Sequence, residues 1–91
     1  MNIVIALEVI SYLDTEFDTH DFIRKLLEKH PEVYGQSLVK HSENGGSVAT
    51  VDGEISSFLA RYASDLHITK TGNVPSRNIL GNISDNAQWH K

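Results

Sequence analysis

Residues 17–31 contain the clearest helix pattern in the chain and read FDTHDFIRKLLEKHP. Asp18 is placed to cap the helix, and Asp21 follows three residues later, where its carboxylate can bond back to the cap. Phe17 and Phe22 have the spacing of a hydrophobic staple across the first turn. Further apolar residues recur at helical spacing after Phe22, which predicts an amphipathic helix with one buried face.

Two more helices are predicted in the N-terminal part of the sequence. Residues 2–13 are apolar with a period of about 3.6 residues, which favours a helix, although the β-branched run at residues 3–5 would also suit the start of a strand. Pro31 ends the capped helix near residue 29 or 30, because the residue before a proline avoids helical geometry. The same proline suits the first turn of a new helix over residues 31–40.

A final helix and a short hairpin are predicted after the glycine-containing loop at residues 43–47. The apolar residues between 51 and 66 follow one helical stripe. The pattern then changes to that of a strand. Residues 68–71 predict the first strand, residues 72–73 (Gly-Asn) its turn, and Val74 the start of the return strand.

The last part of the sequence, residues 81–91, is expected to be an irregular tail because asparagine and glycine recur around its start. Trp89 is the only tryptophan, and a large aromatic side chain in such a segment is expected to dock it onto the core. The 91 residues suit one domain, and a hydrophobic share of 40% with 22% charged residues is typical of a globular fold. We therefore expect residues 1–91 to form a single domain.

The composition excludes several classes of site. The chain has no cysteine, which excludes disulfides, a thiol nucleophile and cysteine-ligated metal centres. Its longest apolar run, residues 3–7, is too short to span a membrane, and no basic residue precedes it as in a signal peptide. The sequence therefore predicts a soluble, cytoplasmic protein without a membrane partner.

Charge is unevenly distributed along the chain. The net charge of −4 arises entirely within the first 35 residues, which hold seven acidic and three basic side chains. Residues 66–91 carry Lys70, Arg77 and Lys91 against one acidic residue. A mildly basic region on an acidic protein can still contact a phosphate backbone, because the local field matters more than the net charge.

Several helices followed by a hairpin, in this order, resemble a winged-helix or helix-turn-helix domain. The elements that carry the resemblance are the helices at residues 22–29, 31–40 and 51–66 and the hairpin centred on residues 72–73. The resemblance covers roughly residues 17–80 and implies a mainly α fold of the α+β class, with three or four helices and then a C-terminal wing. The linker at residues 42–49 departs from it, being longer than the compact three- or four-residue turn, and residues 47–51 would also suit an edge strand.

The resemblance further implies that duplex DNA is the partner and that two elements contact it. The helix at residues 51–65 would be the recognition helix in the major groove, and residues 68–76 would be the wing. The implied nucleic-acid-binding residues are Ser56, Ser57, Arg61 and Ser64 on the helix, and Lys70 and Arg77 on the wing. Arginine can read guanine and serine can reach a base or a phosphate, whereas the wing cations would lie near phosphates.

No catalytic residue, cofactor or metal site is expected. Short matches to the three motifs of serine penicillin-binding enzymes occur at residues 37–40, 70–72 and 84–86. Their order differs from that of those enzymes, and 91 residues are too few for that scaffold. The five histidines lack the spacing of a metal site. The sequence thus predicts neither an enzyme nor a protein with a small-molecule substrate.

A second function is compatible with the same fold, namely protein–protein interaction or dimerisation without nucleic acid. The helix at residues 2–13 is apolar nearly all round, which is more than a small core readily covers. Val4, Ile5 and Val9 are then expected to form an exposed seam for a homodimer or another partner, since large apolar patches rarely stay uncovered.

Overall fold

The described chain has an α+β architecture of four helices and a three-stranded antiparallel sheet. The structure is a computed structural model, and it describes residues 1–41 and 48–91. The elements are α1 (Ile3–Ser11), β1 (Glu16–Asp18), α2 (Thr19–Lys29), α3 (Pro31–His41), α4 (Val48–Arg61), β2 (Thr69–Arg77) and β3 (Ile83–His90). The strand order in the sheet is β1-β3-β2. None of the helices in these ranges is long and apolar enough to cross a membrane.

The N-terminal segment is a helix, so the alternative of a strand at residues 3–5 is wrong. Asn2 caps α1, since its side-chain oxygen accepts a hydrogen bond from the backbone N–H of Ile5 at 2.9 Å. The buried residues of α1 are Ala6, Val9 and Ile10, which lie three and four positions apart on one face.

The capping box of α2 is confirmed. The backbone N–H of Asp21 donates to Asp18 Oδ1 at 2.8 Å, and the backbone N–H of Asp18 donates to Asp21 Oδ2 at 3.1 Å. Phe17 and Phe22 are both buried in the core. The sequence did not predict that Phe17 belongs to a strand, β1, which leads directly into the helix. The helix ends at Lys29, as expected from Pro31.

Helix α4 begins at Val48, three residues earlier than the apolar stripe predicted. The alternative of an edge strand is wrong for residues 48–51, which are helical, and the expected loop at 43–47 lies outside the described residues. Val51, Ile55 and Leu59 form the buried stripe of the helix. Beyond Arg61 the chain continues in turns to residue 67, where it closes in a Schellman arrangement: the N–H of His67 bonds to Ser64 and that of Ile68 to Ala63.

The hairpin is longer than predicted, and its turn lies elsewhere. Residues 72–73 are not a turn, because β2 runs from Thr69 through Arg77 and the chain reverses at residues 78–82. The register shifts between Lys70 and Gly72, which leaves one extra residue in β2 as a bulge. Gly72 has a φ of 153°, a conformation that other residues rarely adopt. The glycine therefore serves the bulge rather than the turn.

The segment predicted to be an irregular tail is instead the central strand of the sheet. β3 pairs with β1 on one side and with β2 on the other. Trp89 stands opposite Phe17 and Lys70 in these pairings and is only 1% exposed. Its ring joins a core to which all four helices and the sheet contribute. Asn86, one of the asparagines that suggested irregular structure, instead donates hydrogen bonds across the sheet to Val74 and Ser76.

Candidate functional site

The exposed surface of α4 contains part of the predicted DNA-contacting set. Ser57 and Arg61 are exposed on the helix, and Ser64 is exposed in the turns that follow it. Ser56 is half-buried and faces inward, with its Oγ 3.3 Å from Thr19 Oγ1. Three of the four predicted residues therefore present their side chains to solvent, and Ser56 contacts α2 instead.

The outward face of α4 is lined by small side chains. Ala49, Gly53, Ser57 and Ala60 are all exposed and recur at spacings of three and four residues. An extended ligand can approach the backbone of such a helix closely, because no long side chain stands in between. Arg61 and Glu54 are exposed long side chains that border this face, and the guanidinium of Arg61 lies 5.4 Å from the ring centroid of Tyr62.

The two predicted wing cations are both exposed on β2. Arg77 lies at the end of the strand, where its Nη1 donates to the carbonyl of Gly81 at 2.8 Å. The carbonyl of Arg77 accepts a hydrogen bond from Nη2 of Arg24 on α2. Lys70 lies near the opposite end of β2, beside Trp89 of β3.

Cations are partnered differently in the two halves of the fold. On α2, Arg24 lies 3.5 Å from a carboxylate oxygen of Asp21, and Lys25 lies 2.9 Å from one of Glu28. The cations of the later elements form no ion pair with any carboxylate in the described part of the chain; these are Arg61, Lys70, Arg77 and Lys91. Their charges are thus available to an anionic partner.

A cleft of about 470 Å³ separates α4 from the hairpin and the first turn of α2. It is lined from α2 by Thr19 and His20, from α4 by Ala49, Asp52, Gly53 and Ser56, and from the hairpin and its turn by Lys70, Asn73, Asn78, Ser84, Asp85, Asn86 and Ala87. Ten of these thirteen lining residues carry polar or charged side chains.

A buried histidine, His20, is one of the residues that line this cleft. His20 is 4% exposed, and its ring Nδ1 is 2.7 Å from Ser76 Oγ, whereas its Nε2 is 3.5 Å from Ser84 Oγ. The two serines stand opposite each other on β2 and β3. One imidazole ring from α2 therefore contacts both strands of the hairpin.

Asn86 completes the connection between α2 and the hairpin. Its Oδ1 accepts from the backbone N–H of His20 at 2.9 Å, and its Nδ2 donates to the carbonyl of Val74 at 2.9 Å and to Ser76 Oγ at 3.1 Å. A neighbouring bond runs from Trp89 Nε1 to Thr19 Oγ1 at 3.1 Å. These bonds, with that of Arg24, fix the angle of the hairpin against α2.

Sequence reasoning missed this connection. It treated His20 as one of several scattered histidines and Asn86 as part of a tail. The partners of His20 are 56 and 64 residues away in the chain, and the partner of Thr19 is 70 residues away. Local patterns contain no information on such distances, and the capping box next to His20 predicts only where the helix begins.

Asp52 of α4 is a half-buried acid with one identified partner. The hydroxyl of Tyr34 donates to Asp52 Oδ1 at 2.8 Å. Burial raises the pKa of Asp52, and the Tyr34 hydrogen bond partly opposes that rise. The pKa of Tyr34 is also raised, chiefly by burial and then by the neighbouring carboxylate. This pair joins α3 to α4 beneath the cleft.

The predicted seam on α1 is only partly exposed. Val4 is 76% exposed, Ile5 is half-buried against the core, and Val9 is fully buried. Val9 is therefore wrong as a seam residue, because its position on the helix turns it into the protein's own core. Leu7 and Tyr12 are also exposed, at 39% and 53%.

Metal ligands do not cluster in the described ranges, where no group of three or more histidine and acidic side chains is placed to hold an ion. His30 lies between Glu8 and Glu32, at 2.9 and 3.5 Å. The hydrogen bond that Glu8 accepts from the His30 ring raises the pKa of His30, and Glu32 adds to that rise.

No protein-family model matches the sequence, and comparisons with curated proteins and with solved structures likewise give no match.

Proposed function

We propose that the chain is a winged-helix-like domain that binds duplex DNA, with α4 as its recognition helix and the β2–β3 hairpin as its wing. The observation that carries the proposal is the order of elements around α4. The helix is followed directly by a hairpin, and the last strand of that hairpin pairs with a short strand between the first two helices. The pairing of β1 with β3 thus adds a third strand to the elements on which the proposed resemblance to a winged-helix domain rests.

The charges support a phosphate-bearing partner. The four cations without a carboxylate partner in the described residues all belong to α4 and the elements after it. Protein–DNA affinity depends on cations that replace the counterions of the phosphates. A small number of such cations implies weak binding by one copy, and binding through phosphate contacts weakens as the salt concentration rises.

The outward face of α4 supports close contact with a groove. Its small side chains let the helix lie deep, and Arg61 is then the residue best suited to bond to a guanine. Acidic residues at the start of the helix, Asp52 and Glu54, weaken the approach of that end to phosphate. Asp52 is partly shielded because it is half-buried and bonded to Tyr34.

The test is binding to a mixed-sequence duplex at about 50 mM and about 200 mM salt. We expect measurable binding at the lower salt and a clear loss at the higher. The variants Arg61→Gln, Lys70→Gln and Arg77→Gln should each weaken binding. Lys25→Gln is the matched control, since it removes the same charge from a lysine that already pairs with Glu28.

Two results would contradict the proposal. One is the absence of binding at the lower salt. The other is an equal loss of affinity in the Lys25 variant and in the three test variants, which would mean that only net charge matters. A larger effect at Arg61 than at Lys70 on a guanine-containing site would support base contact by α4.

Self-association through α1 is the second candidate function, and the exposure of Val4 favours it. Leu7 lies on the same side of the helix as Val4. Sedimentation at micromolar concentration tests it: Val4→Glu should convert a dimer into a folded monomer. A wild-type monomer would remove this candidate and leave the DNA proposal untouched.

A further inference from the structure

The reversing turn of the hairpin presents two large apolar side chains to solvent. Leu80 and Ile83 are each 64% exposed. The other exposed large apolar residues described belong to residue 1, to α1 and to Tyr12, so the hairpin end is a separate apolar surface. We call residues 78–83 the tip.

The tip is held in one shape by its own hydrogen bonds. Asn78 Oδ1 accepts from the backbone N–H groups of Leu80 at 2.9 Å and of Asn82 at 3.1 Å. The backbone of Asn78 also bonds to Asn82 and Gly81. Gly81 has a φ of 84°, which a residue with a side chain rarely adopts. Two apolar groups on a fixed turn lose little entropy when they insert into a partner.

Guanidinium groups lie next to these apolar groups. Arg77 stands opposite Ile83 in the register and donates to the carbonyl of Gly81. Arg24 reaches the same end of β2 from α2. One carboxylate of the hairpin is near, that of Asp85, and it lines the cleft toward α4.

From this juxtaposition we infer that the tip inserts Leu80 and Ile83 between base pairs in the minor groove and bends the duplex. The inference rests on the proposed DNA-binding function and adds to it a deformation of the DNA. Apolar side chains that enter the minor groove unstack a base step and kink the helix toward the major groove. Arginine beside them is favoured by the negative potential of a narrow minor groove.

Charge argues for DNA over a protein partner at the tip. An apolar surface that binds a protein needs no cation held beside it. An apolar surface that enters a minor groove does need one, because phosphates line both sides of the groove. Arg77 has no carboxylate partner in the described residues, so its charge is free to meet them.

The experiment measures DNA bending and affinity together, using the full chain and a duplex labelled with a donor and an acceptor dye at its two ends. We expect the wild-type chain to shorten the end-to-end distance. The double variant Leu80→Ser with Ile83→Ser should lose the bend and bind at least about tenfold more weakly, because it no longer buries the two side chains. Its salt dependence should stay the same, since the phosphate contacts remain.

Tyr12→Ser is the control, because it removes a large side chain that is 53% exposed and lies outside the tip. It should leave bend and affinity unchanged. Thermal unfolding of all three proteins checks that exposed substitutions leave the fold intact. Wild-type binding without bending, or an unchanged bend in the double variant, overturns the inference and leaves the DNA-binding proposal standing. Absence of binding overturns both. Loss of self-association in the double variant alone would assign the tip to a protein interface instead.

Discussion

The side-chain oxygen of Asn86 lies 2.9 Å from the backbone nitrogen of His20 and accepts its hydrogen bond. The bond joins the middle of β3 to the first turn of α2, across 66 residues of chain. Because the same amide donates to Val74 and Ser76 of β2, one side chain connects three elements.

Replacing Asn86 is therefore expected to loosen the hairpin. Asn86→Ala leaves a part-buried N–H without its partner and should lower the free energy of unfolding by about 1–3 kcal/mol. Asn86→Asp keeps the acceptor but loses both donor bonds, so it should fall between alanine and wild type. Asn73→Ala, at an exposed site on β2, is the control and should stay within about 0.5 kcal/mol. Urea unfolding measures all three, and an unaffected Asn86→Ala would mean that the bond contributes nothing.

The capping box of α2 should have a measurable effect on stability. Asp18→Ala removes the acceptor for the N–H of Asp21 and is expected to cost about 0.5–2 kcal/mol. Asp18→Asn keeps an acceptor oxygen and should recover most of that loss. If the alanine and asparagine variants unfold at the same urea concentration, the cap is not what stabilises the start of this helix.

Adjacent residues on α4 test the rotation of that helix. Leu59 is fully buried, whereas Phe58 is half-buried and packs on Tyr62 with ring centroids 4.7 Å apart. Leu59→Ala should cost about 2–5 kcal/mol, as buried leucines do. Phe58→Ala should cost less than the same change at a buried ring, for which about 3–5 kcal/mol is usual. A larger loss at Phe58 than at Leu59 would contradict the packing of α4.

His67 holds a left-handed backbone conformation, with a φ of 57°, at the end of the turns after α4. Most side chains are strained there, so His67→Gly should raise the free energy of unfolding by about 0.5–1 kcal/mol. His67→Ala keeps the strain and serves as the control, with no gain expected. Thermal unfolding compares them, and a destabilised glycine variant would show that the imidazole itself matters.

Stability should depend on pH through His30. Its pKa is raised in the folded protein, first by the hydrogen bond that the Glu8 carboxylate accepts from its ring. A raised pKa means that the folded state binds the proton more tightly, so this contribution is complete below the ordinary pKa of His30 and is lost as pH rises through the folded value. Glu8→Gln should flatten the unfolding profile across that range. Glu16→Gln, next to exposed His90, is a control for general charge effects. If both variants flatten the pH dependence of unfolding equally, His30 is not the source of that dependence.

The helices were predictable because capping and helix-ending residues act on their immediate neighbours in the sequence. The strand pairings were not predictable because they join residues that are far apart in the chain. The Asp18–Asp21 box and Pro31 act within one turn of themselves, so the sequence alone identified both ends of α2. Gly72 fits a turn and a bulge equally well by local criteria, and only the pairing of β2 with β3 distinguishes them. Trp89 was correctly expected to be buried, but its place opposite Phe17 depends on residues some 70 positions earlier.

The candidate site shows the same difference between residues set by local periodicity and residues set by distant contacts. Ser57 and Arg61 follow from helical periodicity, which also identifies the exposed face, whereas Ser64 is exposed in the turns beyond the end of α4. Ser56 differs because its neighbour Thr19 comes from another helix. Val9 was misplaced because an all-apolar helix does not reveal which side meets the core.

The central position of β3 has a consequence for how the protein folds. Within the described chain, β1 and β2 pair with no strand other than β3, so neither half of the sheet forms until that strand is present. Closing Phe17 onto Trp89 means ordering a loop of some 70 residues, and pairings of such high sequence separation slow folding. The helices can gain structure early, but Phe17 and Thr19 then lack the indole ring that covers them. We therefore expect a rate-limiting step in which the arrival of β3 orders the sheet and the first turn of α2 together.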